Sequence, residues 1–156
     1  MPRDGKKHRI EILKLLQENG STTLAEIADK VGIQQSTVSR TINNLRKSGH
    51  IKAFKIILDP IKFNLVTLAV VRFALKDASP EAMKSTVHII KTRKYVQEVH
   101  RVAGEFDLFV KIRCVSNANI AQFIDAVQAG GNIKDSNTTV LTETYEETSD
   151  IFVADD

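Results

Sequence analysis

The sequence has little of what marks a secreted, membrane-spanning or metal-binding protein. A single cysteine among 156 residues, Cys114, excludes an intrachain disulfide. Cys and His do not occur at metal-ligand spacings, so we expect neither a bound metal nor a cofactor. No apolar run approaches the roughly 18 to 20 residues of a membrane span. The charged first ten residues are not followed by the apolar segment of a secretory signal. We therefore expect a cytoplasmic protein that does not enter a membrane.

Acidic residues are missing from one long stretch, residues 30–58. Residues 1–60 hold eleven Lys and Arg against six Asp and Glu, a net charge of +5. Residues 61–156 hold eleven against thirteen, a net charge of −2. This asymmetry predicts two modules, 1–60 and 61–156, of which the first has a polyanion as its partner. Solvated surface charge is the alternative explanation of the same pattern.

The front module has the pattern of three short helices. Residues 8–18 are rich in helix formers, and Ser21 or Thr22 can cap the helix that follows. Residues 23–31 place apolar side chains at the i, i+3, i+4, i+7 spacing of one helix face, and Gly32 ends that helix. A third helix begins a few residues later. Two helices joined by a tight glycine-containing turn predict a helix-turn-helix.

The third helix carries polar side chains opposite its apolar face. With Val38 at zero on a helical wheel, Ile42 and Leu45 lie within about 40° of it. The helix start and the remaining surface carry amides, hydroxyls and basic groups: Gln34, Gln35, Ser36, Thr37, Ser39, Arg40, Asn43 and Lys47. Arg pairs with guanine, Asn and Gln pair with adenine, and hydroxyls bond to either. Because a merely solvated helix would more often show Glu and Lys pairs, we predict that this helix recognises double-stranded DNA.

The next segment, residues 51–58, has the composition of a strand interspersed with lysines. Asp59-Pro60 breaks it. We expect this segment to act as a short wing and as the strand that links the two modules.

The back module alternates between strand and helix patterns. The expected order is strand, helix, strand, strand, helix, strand, over residues 66–75, 78–93, 95–104, 106–115, 118–131 and 136–147. This βαββαβ order predicts an α+β, ferredoxin-like domain, in which two helices cover one face of an antiparallel sheet. The other face then needs a cover. Pairing sheet to sheet supplies it, so we expect a homodimer.

A glycine and two carboxylates mark the turn between the second and third predicted strands. Gly104 allows a backbone conformation or a close approach that a side chain would block. Glu105 and Asp107 flank Phe106 in the same turn. An ordinary hairpin turn uses the same residue types, so the pattern alone leaves a binding role open.

An enzyme is the main rival class, and its candidate catalytic residues are His88, His100, Cys114 and Asp107. We expect His88 to be packed near the apolar stripe of its helix. Cys114 alternates with core residues, where a free cysteine behaves as a small hydrophobe. No spacing fixes a general-base partner for His100, and no phosphate-binding glycine loop is present. We therefore predict a protein that is not an enzyme.

The two modules, in this order, resemble the Lrp/AsnC family of feast/famine transcription regulators over essentially the whole chain. Residues 11–60 are similar to the family's helix-turn-helix followed by "G-x-I" and a linking strand. VHRVAGEFDLFVKIR, residues 99–113, is similar to its "V-x-G-x-[FY]-D" segment, and NIKDSNTTVL, residues 132–141, to its "V-x-D-T-x-T" segment. Two departures stand out. Gln34 replaces a capping serine and Thr41 replaces an arginine, while Ser136-Asn137-Thr138 stands for "T-x-T".

The resemblance implies a winged helix-turn-helix joined to a dimer-forming domain, often called RAM, that assembles further into octamers or similar rings. It also implies a small effector, usually an amino acid, bound between dimers near the glycine-carboxylate turn. The implied effector residues are Gly104, Glu105, Phe106, Asp107, Ser136, Thr138 and Thr139. A rival in the same class is an architectural or global DNA-binding protein that needs no effector and contacts mainly phosphates.

Overall fold

The chain divides into two compact units. The structure is a computed structural model, and it describes residues 3–154. The first unit is formed by the chain up to Ile57 together with the segment from Glu147 onward, and the second is Leu58–Glu146. The division predicted from the sequence, 1–60 and 61–156, places the C-terminal segment with the second module instead.

Three helices build the first unit: α1 (Arg3–Glu18), α2 (Leu24–Val31) and α3 (Gln35–Lys47). Their apolar faces meet in a small core in which Ile12, Ile27 and Val38 have no exposed surface. Gly32, at φ 73°, ends α2, and its N–H and that of Ile33 both donate to the carbonyl of Ala28. This left-handed glycine gives the tight turn of a helix-turn-helix. The predicted motif is confirmed.

The start of α2 differs from the prediction, because Thr23 is its N-cap rather than Ser21 or Thr22. The Thr23 side chain accepts from the Glu26 N–H at 3.3 Å, and Glu26 Oε2 accepts from the Thr23 N–H at 2.7 Å. This reciprocal capping box satisfies two N–H groups at once. Ser21 and Thr22 instead bond to Asn19 in the preceding turn.

The C-terminal segment contacts α1 at Gln17. The Gln17 amide donates to the Ile151 carbonyl at 2.8 Å and accepts from the Ile151 N–H at 3.2 Å. Both polar groups of the Ile151 backbone are therefore satisfied by a single glutamine. No feature of the sequence pointed to this contact.

Residues 51–59 form no strand within this chain, so the expectation of a linking strand is wrong in this detail. A strand needs a neighbour for its N–H and C=O groups, and this segment pairs with none in the part of the chain that the structure describes. Ile56 is 82% exposed and Ile57 90% exposed. A short 3₁₀ helix, Pro60–Phe63, follows, and the Asp59 carboxylate caps it by accepting from the Ile61 N–H.

The second unit has the predicted βαββαβ order, which is confirmed. Its elements are β1 (Thr67–Leu75), α4 (Pro80–Lys91), β2 (Val96–Arg101), β3 (Leu108–Cys114), α5 (Asn117–Gln128) and β4 (Ile133–Leu141). The strands form one antiparallel sheet in the order β2-β3-β1-β4. The last strand starts three residues before the predicted residue 136, because Ile133 is buried in the core. It ends six residues before the predicted residue 147, because the residues after Leu141 are exposed and have no strand partner.

One face of the sheet packs against α4 and α5 around a core of alternating strand residues, including Phe73, Val110 and Ile112. Cys114 is fully buried there, and this burial raises the pKa of its thiol. His88 is exposed, so the expectation that it is packed is wrong. Helix α4 buries Met83, Thr86 and Ile90. At 100° per residue, His88 lies about 160° from Ile90, on the outer side.

Candidate functional sites

Helix α3 presents the predicted DNA-contacting residues on its outer surface. Val38 and Leu45 are buried on the inner side. Of the eight predicted residues, seven are exposed and Ser39 is half-buried. Gln34 occupies the N-cap position, but its side-chain amide makes no capping hydrogen bond. The amide is therefore not needed to cap the helix. Because the inner side holds the helix in place, the outer side is available to a partner.

The polar groups of this surface have few partners within the protein. The side chains of Arg40, Asn43 and Lys47 make no hydrogen bond and no ion pair with the described residues. Thr41, which stands where the family carries an arginine, donates its hydroxyl to the Thr37 carbonyl at 2.8 Å. Asn44 is exposed beside Asn43 and was missed in the sequence analysis. On a wheel it lies about 120° from Val38, between the inner and outer faces, so the pattern alone did not select it.

The turn between β2 and β3 is anchored to the end of β1. The Val102 N–H donates to the Asp107 carbonyl, and the Asp107 N–H donates to the Phe73 carbonyl, each at 2.9 Å. Gly104 has φ 136°, a backbone conformation that residues with a side chain rarely adopt. A Cβ placed on Gly104 would meet nothing within 4 Å. Gly104 is therefore required by its backbone conformation, and the space beside it is open.

The two carboxylates of this turn have different surroundings. Asp107 Oδ2 accepts from the Leu75 N–H at 2.8 Å, which ties the turn to β1. Glu105 is exposed, and no described residue bonds to its carboxylate. Of the two acceptors predicted for an effector's ammonium, Glu105 is the one whose side chain is not already used in the fold.

The predicted effector residues of β4 lie on two faces of the sheet. Ser136 pairs with Phe73 and Thr138 with Val71, and both of those β1 residues face the helices. Thr139 pairs with Val70, on the open face. Because successive strand residues point to opposite sides, the three hydroxyls cannot all line one side of the sheet in a single subunit.

Arg72 connects the turn with β4, although it was not among the residues predicted from the sequence. It lies on the open face of β1, paired with Phe109 on one side and Asn137 on the other. Its Nη2 donates to Asn137 Oδ1, and its guanidinium carbon lies 5.3 Å from the centroid of the Phe106 ring. The available signal was a lone arginine inside the otherwise apolar run VTLAVVRFAL.

The residues considered for catalysis are not brought together. Cys114 is in the core, His88 is on the outer side of α4, and Asp107 bonds to the backbone of β1. His100 bonds to Glu98 at 3.1 Å on the open sheet face. Hydrogen bonds from His100 and Lys111 lower the pKa of Glu98. This set is an exposed polar network rather than a nucleophile with its base.

Among residues 3–154, no group of three or more His, Cys, Asp or Glu could hold a metal ion. None of the helices found there has the length and apolar character needed to cross a membrane. A surface cavity of about 510 Å³ is lined by residues at the other end of the β2–β3 hairpin, including Tyr95 and Arg113, and not by the turn at Gly104.

Comparison with known protein families gives two matches along the chain. Residues 6–52 match a winged helix-turn-helix DNA-binding model. Residues 68–151 match the Lrp/AsnC ligand binding domain, which covers more than half of the chain. The first match contains α2 and α3, and the second contains every strand residue of the sheet except Thr67.

Similar proteins are named as transcriptional regulators. The chain is 29% identical over 143 residues to the HTH-type transcriptional regulator FL11 of Pyrococcus horikoshii, covering 90% of this chain and 91% of FL11. It is 30% identical over 132 residues to an uncharacterised HTH-type transcriptional regulator of the same organism, covering 84% and 82%. Among solved structures, a Neisseria meningitidis transcriptional regulator in complex with L-Met has the same fold, with a TM-score of 0.86, 21% identity and coverage of 93% and 94%.

Proposed function

We propose that this chain reads specific DNA sequences through α3 and responds to an amino acid. The proposal starts from its family, because the chain belongs to the Lrp/AsnC family of DNA-binding transcriptional regulators. The observation that carries the DNA-reading part is the outer surface of α3. Arg40 and Asn43 are exposed there, and their side chains bond to none of the described residues. Such groups form bidentate bonds with guanine and adenine in the major groove. Because residues 30–58 contain no carboxylate, nothing in that segment repels phosphates.

The effector part of the proposal rests on the turn at Gly104. A free amino acid needs an acceptor for its ammonium and donors for its carboxylate. Glu105 supplies the acceptor, and the Gly104 N–H supplies a donor that no described backbone group uses. Phe106, Asp107, Ser136, Thr138 and Thr139 complete the proposed effector residues. The L-Met complex of the Neisseria regulator, which shares this fold, supports an amino acid as the ligand class. The hydroxyls favour a polar effector over leucine.

We infer that the protein acts as a homodimer and assembles further into an octamer or a similar ring. The open sheet face, which carries Val70, Ala74 and Phe109 at half-buried positions, is the surface that a second copy would cover. Because Ser136 and Thr138 lie on one sheet face and Thr139 on the other, we expect one ligand to reach all three hydroxyls only at a junction of subunits. A ligand held between dimers binds the assembled ring and the separate dimers with different affinities. This difference in affinity shifts the equilibrium between the two.

Calorimetry of the whole chain against each of the twenty amino acids tests the effector. We expect at least one to bind, and we expect the size of the assembly, measured by light scattering, to change when it is added. The best binder should also change the affinity for an operator selected from random DNA. If no amino acid binds at millimolar concentration, the effector proposal fails and the architectural alternative replaces it.

The architectural alternative predicts different affinities for DNA. A protein that contacts mainly phosphates binds matched and scrambled DNA with similar affinity and the same salt slope. A base-reading helix discriminates between them, typically by about 10³-fold or more. We expect discrimination, because the α3 surface carries amides as well as basic groups.

A further inference from the structure

His50 lies just beyond the end of helix α3, where the chain turns away from the helix. Gly49 has φ 79°, and its N–H donates to the Arg46 carbonyl at 3.1 Å. The Ile51 N–H donates to the carbonyl of the buried Leu45 at 3.1 Å. This left-handed glycine turn ties both neighbours of His50 to the last turn of the helix. The position of the His50 backbone relative to α3 is therefore fixed.

The imidazole of His50 is held by one hydroxyl group. Ser48 Oγ lies 2.7 Å from His50 Nδ1, and it also donates to the Leu45 carbonyl at 3.2 Å. A hydroxyl has a single proton to donate, and a carbonyl can only accept. When the Ser48 proton goes to Leu45, Nδ1 must carry a proton of its own and donate it to Ser48. Both contacts hold at once only in this arrangement.

The other ring nitrogen, Nε2, is available to a partner from outside the chain. His50 is exposed, and among the described residues none bonds to Nε2 and no carboxylate pairs with the ring. His100 differs, because its Nε2 lies 3.1 Å from a carboxylate oxygen of Glu98. The charged residues that are nearest to His50 along the chain are all cations, among them Lys47 and Lys52. A positive charge on His50 would therefore be compensated by an external anion.

The expected partner of the helix-turn-helix is DNA, whose phosphates only accept hydrogen bonds. While Nδ1–H is donated to Ser48, a neutral ring presents to a phosphate only the lone pair of Nε2, which repels it. A protonated ring presents an Nε2–H donor and a positive charge. Histidine is the side chain whose charge ordinarily changes between pH 5 and 8. A bond between His50 and a phosphate therefore depends on pH in that range.

We propose that protonated His50 binds a DNA phosphate through Nε2, and that Ser48 positions the ring by holding Nδ1. This inference rests on the proposed DNA-binding function and adds to it a phosphate contact outside α3 whose strength depends on pH. DNA binding is then accompanied by uptake of a proton at His50, so affinity rises as the pH falls. The contact carries no sequence information, because every DNA sequence presents the same phosphates.

The test measures the DNA affinity of whole chains by fluorescence anisotropy at pH 6 and pH 8, over a range of salt concentrations. Five chains are compared: the wild type, His50→Gln, His50→Lys, Ser48→Ala and the control His88→Gln. His88 is an exposed histidine on α4, outside the helix-turn-helix. Each chain is measured on an operator selected from random DNA and on scrambled DNA of the same length. The melting temperature at both pH values reports whether each variant is folded.

We expect the affinity of the wild type for both DNAs to rise roughly threefold or more from pH 8 to pH 6. The slope of log affinity against log salt should become steeper by about one for each His50 that contacts a phosphate. His50→Gln should lose both changes, because an amide carries no charge at either pH. His50→Lys should bind at pH 8 about as tightly as the wild type at pH 6, because its charge is present at both.

The two remaining variants separate the role of Ser48 from a general effect of pH. Ser48→Ala should keep only part of the pH dependence, since its ring is no longer held and a neutral ring can then carry its proton on Nε2. His88→Gln should behave as the wild type, because His88 lies outside the DNA-binding unit. If Ser48→Ala keeps the full pH dependence, Ser48 does not position the ring.

Three further results would overturn the inference. If His50→Gln keeps the pH dependence of the wild type, another group takes up the proton, although DNA binding by the helix-turn-helix stands. If pH changes the affinity for the operator but not for scrambled DNA, His50 contacts a base edge rather than a phosphate. If the wild type binds neither DNA, the proposed function and this inference both fail.

Discussion

Arg40 and Lys47 lie on the same exposed surface of α3, but they are expected to recognise DNA in different ways. The planar guanidinium of Arg40 can form two bonds with one base edge. Arg40→Ala should therefore weaken binding to the operator by roughly 1–3 kcal/mol and relax the preference at one base position. Binding-site selection with the variant checks this. Equal weakening on every DNA sequence would mean that Arg40 contacts phosphate only.

Lys47 is a point charge near the end of α3, and it suits a phosphate better than a base. Lys47→Ala should lower affinity for matched and scrambled DNA by a similar factor and reduce the slope of log affinity against log salt by about one. Fluorescence anisotropy over a range of salt concentrations measures both. Lys84→Ala, an exposed lysine on α4 outside the helix-turn-helix, is the matched control and should leave the slope unchanged.

Gly104 combines a positive φ with open space beside it, so its replacement should act on the effector site rather than on the core. A β-branched side chain disfavours φ 136°. Gly104→Val should distort the turn and remove the amino-acid response while DNA binding by the dimer is retained. Calorimetry and anisotropy on the same preparation test this, with melting temperature as a check on folding. A variant with an unchanged effector affinity would contradict the role given to this turn.

Among the elements, α2 depends on the capping box between Thr23 and Glu26. Thr23→Ala removes the side-chain acceptor for the Glu26 N–H, and it should lower the free energy of unfolding of the first unit by about 1 kcal/mol. Urea denaturation followed by helical circular dichroism measures this. Ser21→Ala is the control, because Ser21 bonds through its backbone N–H, and it should have no comparable effect.

The same box gives α2 a defined dependence on pH. Hydrogen bonds from the Thr23 backbone and side chain lower the pKa of Glu26 below its ordinary 4.5. A lowered pKa in the folded state means that the stabilisation is present above the unfolded pKa and is lost as pH falls through the folded one. We expect Glu26→Gln to be less stable than the wild type at pH 7 and to approach it as the pH falls through the lowered pKa of Glu26. A difference in the free energy of unfolding between Glu26→Gln and the wild type that does not change with pH would contradict this.

Sequence patterns predicted the elements of this protein wherever the pattern reflects burial. The alternation in FDLFVKIRCV predicts β3, because every second side chain enters the core. The i, i+3, i+4, i+7 spacing of Leu24, Ile27, Ala28 and Val31 predicts α2. Patterns failed where burial does not decide the outcome. The end of β4 is exposed on both faces, so nothing in its side chains marks Leu141 as the last strand residue. Thr23 was missed as a cap because three successive hydroxyl residues, 21–23, all suit the position.

The candidate sites also include residues that could be predicted from the sequence and residues that could not. The outer surface of α3 could be predicted, since it is the complement of a buried stripe. Arg72 could not, because its importance comes from the pairing of β1 with β4, which brings Asn137 to it from 65 residues away. The division of Ser136, Thr138 and Thr139 between two faces also follows from strand register, which the sequence alone did not provide.

For the whole molecule, the proposed dimer would set the form of the operator through its two-fold symmetry. Two copies of α3 related by a two-fold axis read an inverted repeat, with half-sites about one helical turn, roughly 34–36 Å, or a multiple of it apart. Footprinting on a selected operator should show two symmetric half-sites, and inserting about five base pairs between them should reduce affinity, because the half-sites then face opposite sides of the duplex. A single asymmetric footprint at saturating protein would contradict the dimer.

The contact between Gln17 and Ile151 joins residues 134 positions apart. During synthesis, α1, α2 and α3 leave the ribosome long before residue 151 is made, and their local contacts let them fold early. The last piece of the first unit therefore arrives only after the entire sheet domain has been translated. A nascent chain, or one cut after β4, carries a helix-turn-helix whose Gln17 amide still faces water. The contact between Gln17 and Ile151 in this unit therefore depends on translation of the segment that follows the sheet.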